Sequence, residues 1–389
     1  MTAPIYLDYQ ATTPMAPEAV AAMRPWIDTN FANPHSPYRI GREAEAAVSA
    51  AREWVMREIQ GRGDQLLPNS MLYFTSGGTE AANWALKGTA ARLPEGRRRI
   101  VTLATEHACV LDTVAWLGQQ GFEVEVLPVR PDGLADLDLM AERIDERTGL
   151  VAAMLINNEI GVIQPIGRIG VMARGKGALL FCDATQALGR EGIPFSLCDL
   201  IAVSSHKIHG PKGIGALWRR TSVEVDPLLH GGGQEGGMRS GTLSPALCVG
   251  FGVAARLFRD RPDGGTAKTR DLDSLHVQRL WDVALEMLDG WTINGSKEHR
   301  YRGNLNVRRD GIDAARLISE VRQVAFSAGS ACASGSGRPS HVLAALGLSE
   351  REARSSIRIG FGRYTTEAEL TDACRRMAAA ADAQARFAA

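Results

Sequence analysis

The fold is decided by the stretch Leu200-Ile201-Ala202-Val203-Ser204-Ser205-His206-Lys207, which is followed by a turn rich in glycine and proline. Its first four residues are an unbroken apolar run, typical of a strand buried on both faces of a parallel sheet. The lysine then stands at the end of that strand, the kind of place where enzymes keep an amine that attacks a carbonyl. The alternative is a surface lysine after a strand, and the rest of the chain must decide between the two.

Working outward, helix-like and strand-like segments alternate along residues 45–250, which predicts an α/β architecture with right-handed crossovers. The predicted strands cover residues 71–74, 99–103, 123–127, 150–156, 178–181 and 200–203, and the predicted helices include 44–58 and 80–92. Several of these strands are continuous apolar runs, as expected inside a mostly parallel sheet.

Beyond residue 259 the pattern changes, and it predicts a smaller α+β domain with which the N-terminal segment packs. Strand-like and helical segments are mixed there, at 268–288, 303–307, 314–321, 357–361 and 366–387. We expect a large domain over residues 15–258 and a small domain formed by residues 1–14 and 259–389.

The composition of the 389 residues excludes several classes of protein. Lys+Arg and Asp+Glu balance at 44 each, so the charge does not point to nucleic acid or a membrane surface as a partner. No apolar run is long enough to span a bilayer, and no signal peptide is recognised, so we expect a cytoplasmic protein. The six cysteines form no CxxC pair, and neither a disulfide framework nor a metal site is predicted.

Polar residues follow five of the predicted strands, and the carboxyl ends of parallel strands face one crevice. The five segments are Thr75-Ser76-Gly77-Gly78-Thr79-Glu80, Thr105-Glu106-His107, Asn157-Asn158-Glu159, Asp183-Ala184-Thr185-Gln186 and Ser204-Ser205-His206-Lys207. Taken singly, the glycine-rich segment could be only a helix cap, and Asp183 only an N-cap residue. Together the five segments indicate one binding site.

The five segments fit the requirements of pyridoxal phosphate (PLP). Its phosphate needs a helix N-terminus with hydroxyl groups, and its pyridinium nitrogen needs a carboxylate. Its ring needs a stacking partner and its aldehyde needs a lysine. The segments offer a candidate for each requirement.

The motifs of the chain, taken in order, resemble the cysteine desulfurases of the NifS/IscS type, which belong to the class V aminotransferase family of fold-type I PLP enzymes. Besides the five segments, the resemblance rests on Asp8-Tyr9-Gln10-Ala11-Thr12-Thr13-Pro14, His230-Gly231-Gly232-Gly233-Gln234-Glu235, Arg239-Ser240-Gly241-Thr242, Ser330-Ala331-Cys332 and Ser355-Ser356-Ile357-Arg358. It covers nearly the whole chain and implies a mostly parallel seven-stranded sheet in the large domain.

The resemblance also implies a role for each site residue. Lys207 would bind the cofactor and move a proton, His107 would stack on the ring, and Asp183 would pair with the pyridinium nitrogen. Further contacts to the cofactor or substrate are implied for Gly78, Thr79, Asn158, Gln186, Ser204 and His206. Thr242 would reach the phosphate of a neighbouring subunit in a homodimer, and Arg358 with Asn33 would bind the substrate carboxylate.

Cys332 decides which reaction is expected. It lies in a run rich in glycine and serine, where a small buried hydrophobe is a poor choice and a mobile nucleophile a good one. The resemblance implies that L-cysteine becomes L-alanine and that its sulfur passes to Cys332 as a persulfide. A sulfur-acceptor protein, either an iron–sulfur scaffold or another sulfur carrier, would then receive it, and Cys332 could serve as a transient iron–sulfur ligand.

Other readings stay open at this point. Within the same fold, a selenocysteine lyase, a sulfinate-releasing enzyme or an aminotransferase would use much of the same site. From a different class, the chain could be an inactive scaffold protein that binds partners.

Overall fold

The computed structural model describes residues 4–61, 69–259, 269–328 and 340–388, and these ranges form twelve strands and twelve α-helices. The strands are β1 (Ile5–Tyr6), β2 (Ser70–Thr75), β3 (Arg99–Leu103), β4 (Glu123–Leu127), β5 (Thr148–Met154), β6 (Leu179–Asp183), β7 (Leu200–Ser204), β8 (Gly215–Arg220), β9 (Thr292–Ile293), β10 (Asn304–Arg308), β11 (Val324–Ala325) and β12 (Ser356–Gly360). The helices are α1 (Pro17–Asp28), α2 (Arg39–Gln60), α3 (Gly78–Ala90), α4 (Ala108–Gln119), α5 (Leu137–Arg143), α6 (Ile166–Gly175), α7 (Pro245–Arg256), α8 (Thr269–Met287), α9 (Ala314–Glu320), α10 (His341–Ala345), α11 (Glu350–Arg354) and α12 (Glu367–Ala388). Within these ranges, none of the helices combines the length and apolarity needed to cross a bilayer.

A seven-stranded sheet in the order β2-β8-β7-β6-β5-β3-β4 forms the centre of the fold. Strands β7, β6, β5, β3 and β4 pair in parallel, whereas β8 runs antiparallel to both of its neighbours, β7 and β2. The predicted α/β architecture with a mostly parallel sheet is confirmed. The six predicted strands of this sheet are present with ends within two residues of the prediction, and β8 is the strand that was missed.

Both faces of the sheet are covered, because successive side chains along each strand point to opposite sides. On β5, Leu150 and Ala152 pack with helices α3 and α4, whereas Val151 and Ala153 belong to the core that includes α2 and α7. All four residues have no exposed surface. This double burial explains why the central parallel strands β5, β6 and β7 are largely continuous apolar runs.

A second, smaller body contains the antiparallel sheet β12-β10-β9 and the helices α8, α9 and α12. The start of the chain joins it: β1 pairs in parallel with β11, and Asp8 forms a bridge with Gly360. From there the chain runs past the carboxyl end of β7, where the backbone N–H of Thr13 donates to the carbonyl of His206 (2.9 Å). The N-terminal segment therefore connects the smaller body to the edge of the large sheet that carries Lys207.

His209 holds this N-terminal segment from the other side. Its backbone N–H donates to Thr13 Oγ1 (2.7 Å), and its Nδ1 lies 2.9 Å from the carbonyl oxygen of Pro14. A carbonyl can only accept, so the proton of the neutral ring is on Nδ1. Burial, reinforced by the nearby Arg363, lowers the pKa of His209 to about 3.

This buried histidine predicts a loss of stability in acid. Folded His209 stays neutral above about pH 3, whereas in the unfolded chain it binds a proton below about pH 6.5, so its contribution to stability is lost as the pH falls between these values. Asparagine tolerates the positive backbone φ of 66° at this position, so His209→Asn is the test variant. When the pH falls from 7 to 5, the unfolding free energy of the wild type should fall by about 2 kcal/mol more than that of His209→Asn. Urea unfolding at both pH values measures this, and identical pH dependence of the two proteins would contradict it.

Candidate active site

A cavity of about 240 Å³ opens at the carboxyl ends of the parallel strands. Ten of the predicted site residues line it: Gly78, Thr79, His107, Asn158, Asp183, Gln186, Ser204, His206, Lys207 and Arg358. Residues that the sequence analysis did not select complete the wall: Gln10, Ala11, Cys109, Met154, Ile156 and Thr185. The polar strand ends therefore meet in one place, as the sheet geometry requires.

Lys207 lies just past the end of β7, as the last residue of a short 3₁₀ helix (Ser205–Lys207), and it lines the cavity. Its Nζ donates hydrogen bonds to the carbonyl oxygens of Gln10 and, at 2.8 Å, Ala11. Both acceptors are neutral and both belong to the N-terminal segment. The amine is thus held at the cavity wall by backbone groups, where a bound aldehyde could exchange with them.

Asp183 is the last residue of β6, and only 7% of its surface is exposed. Its Oδ1 accepts a hydrogen bond from the backbone N–H of Thr185 (2.9 Å), which fixes the carboxylate against the turn after the strand. A carboxylate at this depth is costly unless a cation or a hydrogen-bond donor faces it. It is suited to hold a protonated ring nitrogen inside the cavity.

His107 caps the N-terminus of α4, and the cap fixes its tautomer. Its Nδ1 accepts from the backbone N–H of Cys109 (3.1 Å), so the proton of the neutral ring is on Nε2. Burial lowers the pKa of His107, and the positive charge of Lys207 lowers it further, against the opposing effect of Asp183. A neutral, oriented imidazole in the cavity wall is suited to lie against an aromatic ring.

The N-terminus of α3 forms an anion site at another side of the cavity. The helix is 13 residues long and begins at Gly78, so its first N–H groups and the positive end of its dipole face the cavity. A Cβ atom at Gly78 would lie 2.9 Å from Thr185 Oγ1, which shows how closely the backbone approaches the neighbouring turn. Ser204 is 2% exposed, and its hydroxyl oxygen has no hydrogen-bond partner among the described residues.

His206 faces the same cavity and is held by Thr12 Oγ1, 3.1 Å from its Nδ1. Burial, with the positive charges of Lys207 and Lys212 close by, lowers the pKa of His206 to about 4. The ring is therefore neutral at physiological pH. It can give or accept a hydrogen bond without adding a charge to the site.

Arg358 on β12 brings the smaller body to the cavity, and its side chain is almost fully buried. Its Nη2 donates to Asp8 Oδ1 (2.6 Å) and to Ser327 Oγ (3.2 Å), and its Nη1 donates to the carbonyl oxygen of Asn158 (3.0 Å). Ser327 also donates to Asp8 Oδ2 (2.9 Å). The arginine predicted to meet a substrate carboxylate thus also forms an ion pair with Asp8, which the sequence did not reveal.

Beneath His107 lies Glu106, which has no exposed surface. Its Oε1 accepts from the backbone N–H of Met154 (2.8 Å), and burial raises the pKa of its carboxyl well above the usual value. Burial likewise raises the pKa of the Cys109 thiol, so this cysteine of the cavity wall is a poor nucleophile. Burial of Glu106 thus favours the protonated, uncharged form of its carboxyl.

Three predicted residues lie elsewhere. Asn33 is exposed in the segment between α1 and α2, where its Oδ1 accepts from the backbone N–H of His35 (2.9 Å). Thr242 is also exposed and, like Asn33, is not part of the cavity wall. Cys332 falls outside the described residues. The predicted roles of these three residues stay predictions.

Comparison with known proteins places this site in a family. The family model for class V aminotransferases matches residues 5–372. A protein named cysteine desulfurase IscS from Rickettsia bellii is 42% identical over 376 residues, which are 94% of this chain and 88% of the relative.

Solved structures agree with this match. A NifS-like protein superposes with a TM-score of 0.86 and 30% identity, covering 96% of this chain and 98% of the other. A structure titled SspA in complex with cysteine gives a TM-score of 0.79 and 34% identity, covering 93% and 99%. The fold and the matched residues define a class V aminotransferase-type enzyme, and the chain belongs to this family. The resemblance to desulfurases of the NifS/IscS type is confirmed.

The family implies PLP, and the residues of the cavity fit it. Within the described ranges the buried hydroxyl of Ser204, beside the α3 N-terminus, has no hydrogen-bond partner, as expected of a group that meets a phosphate. The Asp183 carboxylate and the Lys207 amine both reach the same cavity wall. The site thus offers an anion cradle, a buried carboxylate, an amine and, in His107, a ring that can stack, which are the four features that the cofactor requires.

Proposed function

We propose that this protein is a PLP-dependent cysteine desulfurase, which converts L-cysteine to L-alanine and transfers the sulfur to Cys332. The single observation that carries the proposal is the meeting of Lys207, Asp183 and His107 around one cavity beside the N-terminus of α3. The desulfurase relatives match nearly the whole chain, which supports the choice of reaction within the family.

In this proposal the cavity residues divide the binding of the cofactor among them. Gly78, Thr79, Ser204 and His206 would hold the phosphate, and Asp183 the ring nitrogen. His107 would lie against the ring of the cofactor. Gln186 and Asn158 would contact the ring oxygen of the cofactor or the substrate. When bound, PLP supplies an aldehyde that links to amines and a ring that withdraws electrons.

The protein's own groups then carry out three tasks. Arg358 would hold the substrate carboxylate, and Lys207 would take the proton from the substrate Cα and return one to the product. The Cys332 thiolate would attack the substrate sulfur, forming a sulfur–sulfur bond as the carbon–sulfur bond breaks. The products are one alanine and one Cys332 persulfide for each cysteine and each thiol consumed, so atoms and electrons balance without an added oxidant.

The decisive experiment incubates purified protein, loaded with PLP, with L-cysteine and no reductant. We expect alanine in an amount equal to the enzyme and one extra sulfur atom on Cys332 by peptide mass spectrometry. A keto acid as product would identify an aminotransferase. Parallel incubations with L-cysteine sulfinate and L-selenocysteine identify the other two related enzymes, and no product from any of the three substrates would favour the inactive scaffold.

We further infer a homodimer in which Thr242 reaches the cofactor phosphate of the neighbouring subunit. We also infer a cytoplasmic location and the delivery of sulfur to an acceptor protein for iron–sulfur or thio-cofactor synthesis.

We also infer two domains, a large one over residues 15–258 and a small one formed by residues 1–14 and 259–389. The apolar core that Leu7 shares with residues of α8, β10, β12 and α12 supports this division.

The orphaned hydroxyl of Ser204 gives a direct test of the phosphate cradle. Ser204→Ala removes a buried group that has no partner in the described protein, so we expect it to leave the stability of the cofactor-free protein unchanged or slightly higher. A hydrogen bond to a charged phosphate is worth about 1.5–3 kcal/mol, so PLP affinity should fall about 10- to 100-fold. PLP titration of stripped protein by absorbance measures this, and unchanged affinity would remove Ser204 from the cradle.

A further inference from the structure

Arg190 lies directly behind the cavity and ties three segments of the site together. Its Nη1 donates to Gln186 Oε1 (2.6 Å), and its Nη2 donates to the carbonyl oxygen of Lys207 (2.8 Å) and, at 3.5 Å, to that of Tyr9. Its guanidinium also lies 5.2 Å from the centre of the Tyr301 ring. One cation therefore joins the turn after β6, the lysine turn and the N-terminal segment.

The acceptors of Arg190 are all neutral, and among the described residues no carboxylate lies within ion-pair distance of it. On its far side is a cavity of about 30 Å³, where Arg363 is already paired with Asp273 (2.7 Å) and His209 is neutral. Its charge is thus not consumed by a local ion pair. It remains available to act on the active-site side.

The contact with Gln186 determines how that side chain faces the cavity. An amide has an accepting oxygen and a donating nitrogen, and a guanidinium can only donate. Oε1 must therefore point to Arg190, and Nε2 points the other way, where it donates to the carbonyl oxygen of Gln10 (2.9 Å). Nε2 carries a second hydrogen, and Gln186 lines the cavity.

We infer that Arg190 is a positioning residue of the cofactor site: it holds the Gln186 amide so that an N–H group, and not the amide oxygen, meets the ring oxygen of the cofactor. The inference rests on the proposed function, which places Gln186 at that oxygen. The donor and the cation behind it both favour negative charge on the ring oxygen.

The holoenzyme's visible absorbance provides the test, because its change with pH depends on the charges around the cofactor. The charged and titratable groups that face the cofactor site from the other elements are the same in both proteins: Lys207, Asp183, His107, His206, Arg358, Cys109 and the buried Glu106. In Arg190→Met the amide loses one of the two hydrogen bonds that orient it and keeps the one to the Gln10 carbonyl, and the cation is lost, so the chromophore should keep its proton to higher pH. We expect the midpoint to rise by about one pH unit.

Two further variants separate positioning from stability. Arg190→Lys keeps the charge without the planar fork, and its midpoint should lie between those of the wild type and Arg190→Met. Arg300→Lys is the matched control, since Arg300 is buried and donates to backbone carbonyls, including those of Ile160 and Asn304, away from the cavity. It should lower the thermal unfolding temperature and leave the midpoint unchanged.

An unchanged midpoint in folded Arg190→Met, or an equal shift in Arg300→Lys, overturns the inference. If Arg190→Met does not fold, Arg190→Gln decides in the same way, because it removes the charge and keeps a donor for Gln186; its midpoint should rise less than one unit, and no rise overturns the inference. A wild type that titrates normally but forms no alanine contradicts the proposed function and leaves the role of Arg190 standing. The two failures are therefore distinguishable.

Discussion

Lys207→Ala should abolish the visible absorbance that PLP gives the wild type and lower alanine formation from L-cysteine by at least about 10⁴-fold. The amine is the group that would both link to the aldehyde and move the substrate proton, so a single change removes two functions. The loss should persist at saturating PLP, because it reflects a missing reaction partner and not weak binding. Absorbance spectra and an alanine assay measure both effects.

A second variant separates this chemistry from structure. Lys207 Nζ also holds the carbonyls of Gln10 and Ala11, so its loss loosens the N-terminal segment. Lys207→Arg retains a donor for those carbonyls, but a guanidinium is not deprotonated in proteins and cannot act as the amine. It should be as inactive as Lys207→Ala while unfolding at a temperature closer to the wild type.

Lys212→Ala is the matched control, since Lys212 is an exposed lysine five residues further along the same glycine- and proline-rich turn. It should keep both the absorbance and the activity. Retention of the visible absorbance in Lys207→Arg would show that another amine holds the cofactor.

The elements that the sequence revealed are those with a strong local pattern. The strand β3 is largely an apolar run and β4 alternates glutamate with valine, and both patterns predict the observed ends. Strand β8 ends in Arg219 and Arg220 and follows a glycine-rich turn, so its sequence lacks the apolar pattern that predicts a strand. The two-residue strands β1, β9 and β11 are too short to show any periodicity.

The same distinction applies to the site. Residues at strand ends could be brought together by reasoning, because the carboxyl ends of parallel strands share one edge. The contacts that orient these residues could not be predicted, because their partners are distant in the sequence. Lys207 donates to the backbone of Gln10 and Ala11, and Arg358 pairs with Asp8. Such pairs depend on how the smaller body docks, which no local sequence pattern records.

The described ends of the segment around Cys332 are fixed at the cavity. Before it, Ser327 donates to Asp8, the ion-pair partner of Arg358. After it, Ser340 donates to the buried carboxylate of Glu159. Both described ends of the segment that carries the proposed nucleophile therefore join residues that contact or adjoin the cavity wall.

Cys332→Ala should leave the visible absorbance of the holoenzyme intact and remove the persulfide entirely, with alanine formation down by at least about 10³-fold. The cofactor contacts remain in this variant, but it lacks the thiolate that would attack the substrate sulfur. Without that nucleophile the carbon–sulfur bond of the substrate is not broken. Cys374→Ala is the control. Cys374 lies in α12 and not in the cavity wall, and burial raises the pKa of its thiol to about 12, so the persulfide on Cys332 should persist in this variant. Peptide mass spectrometry after one turnover measures the persulfide. A persulfide formed on Cys109 in the Cys332→Ala protein would move the sulfur acceptor into the cavity wall and contradict the assignment.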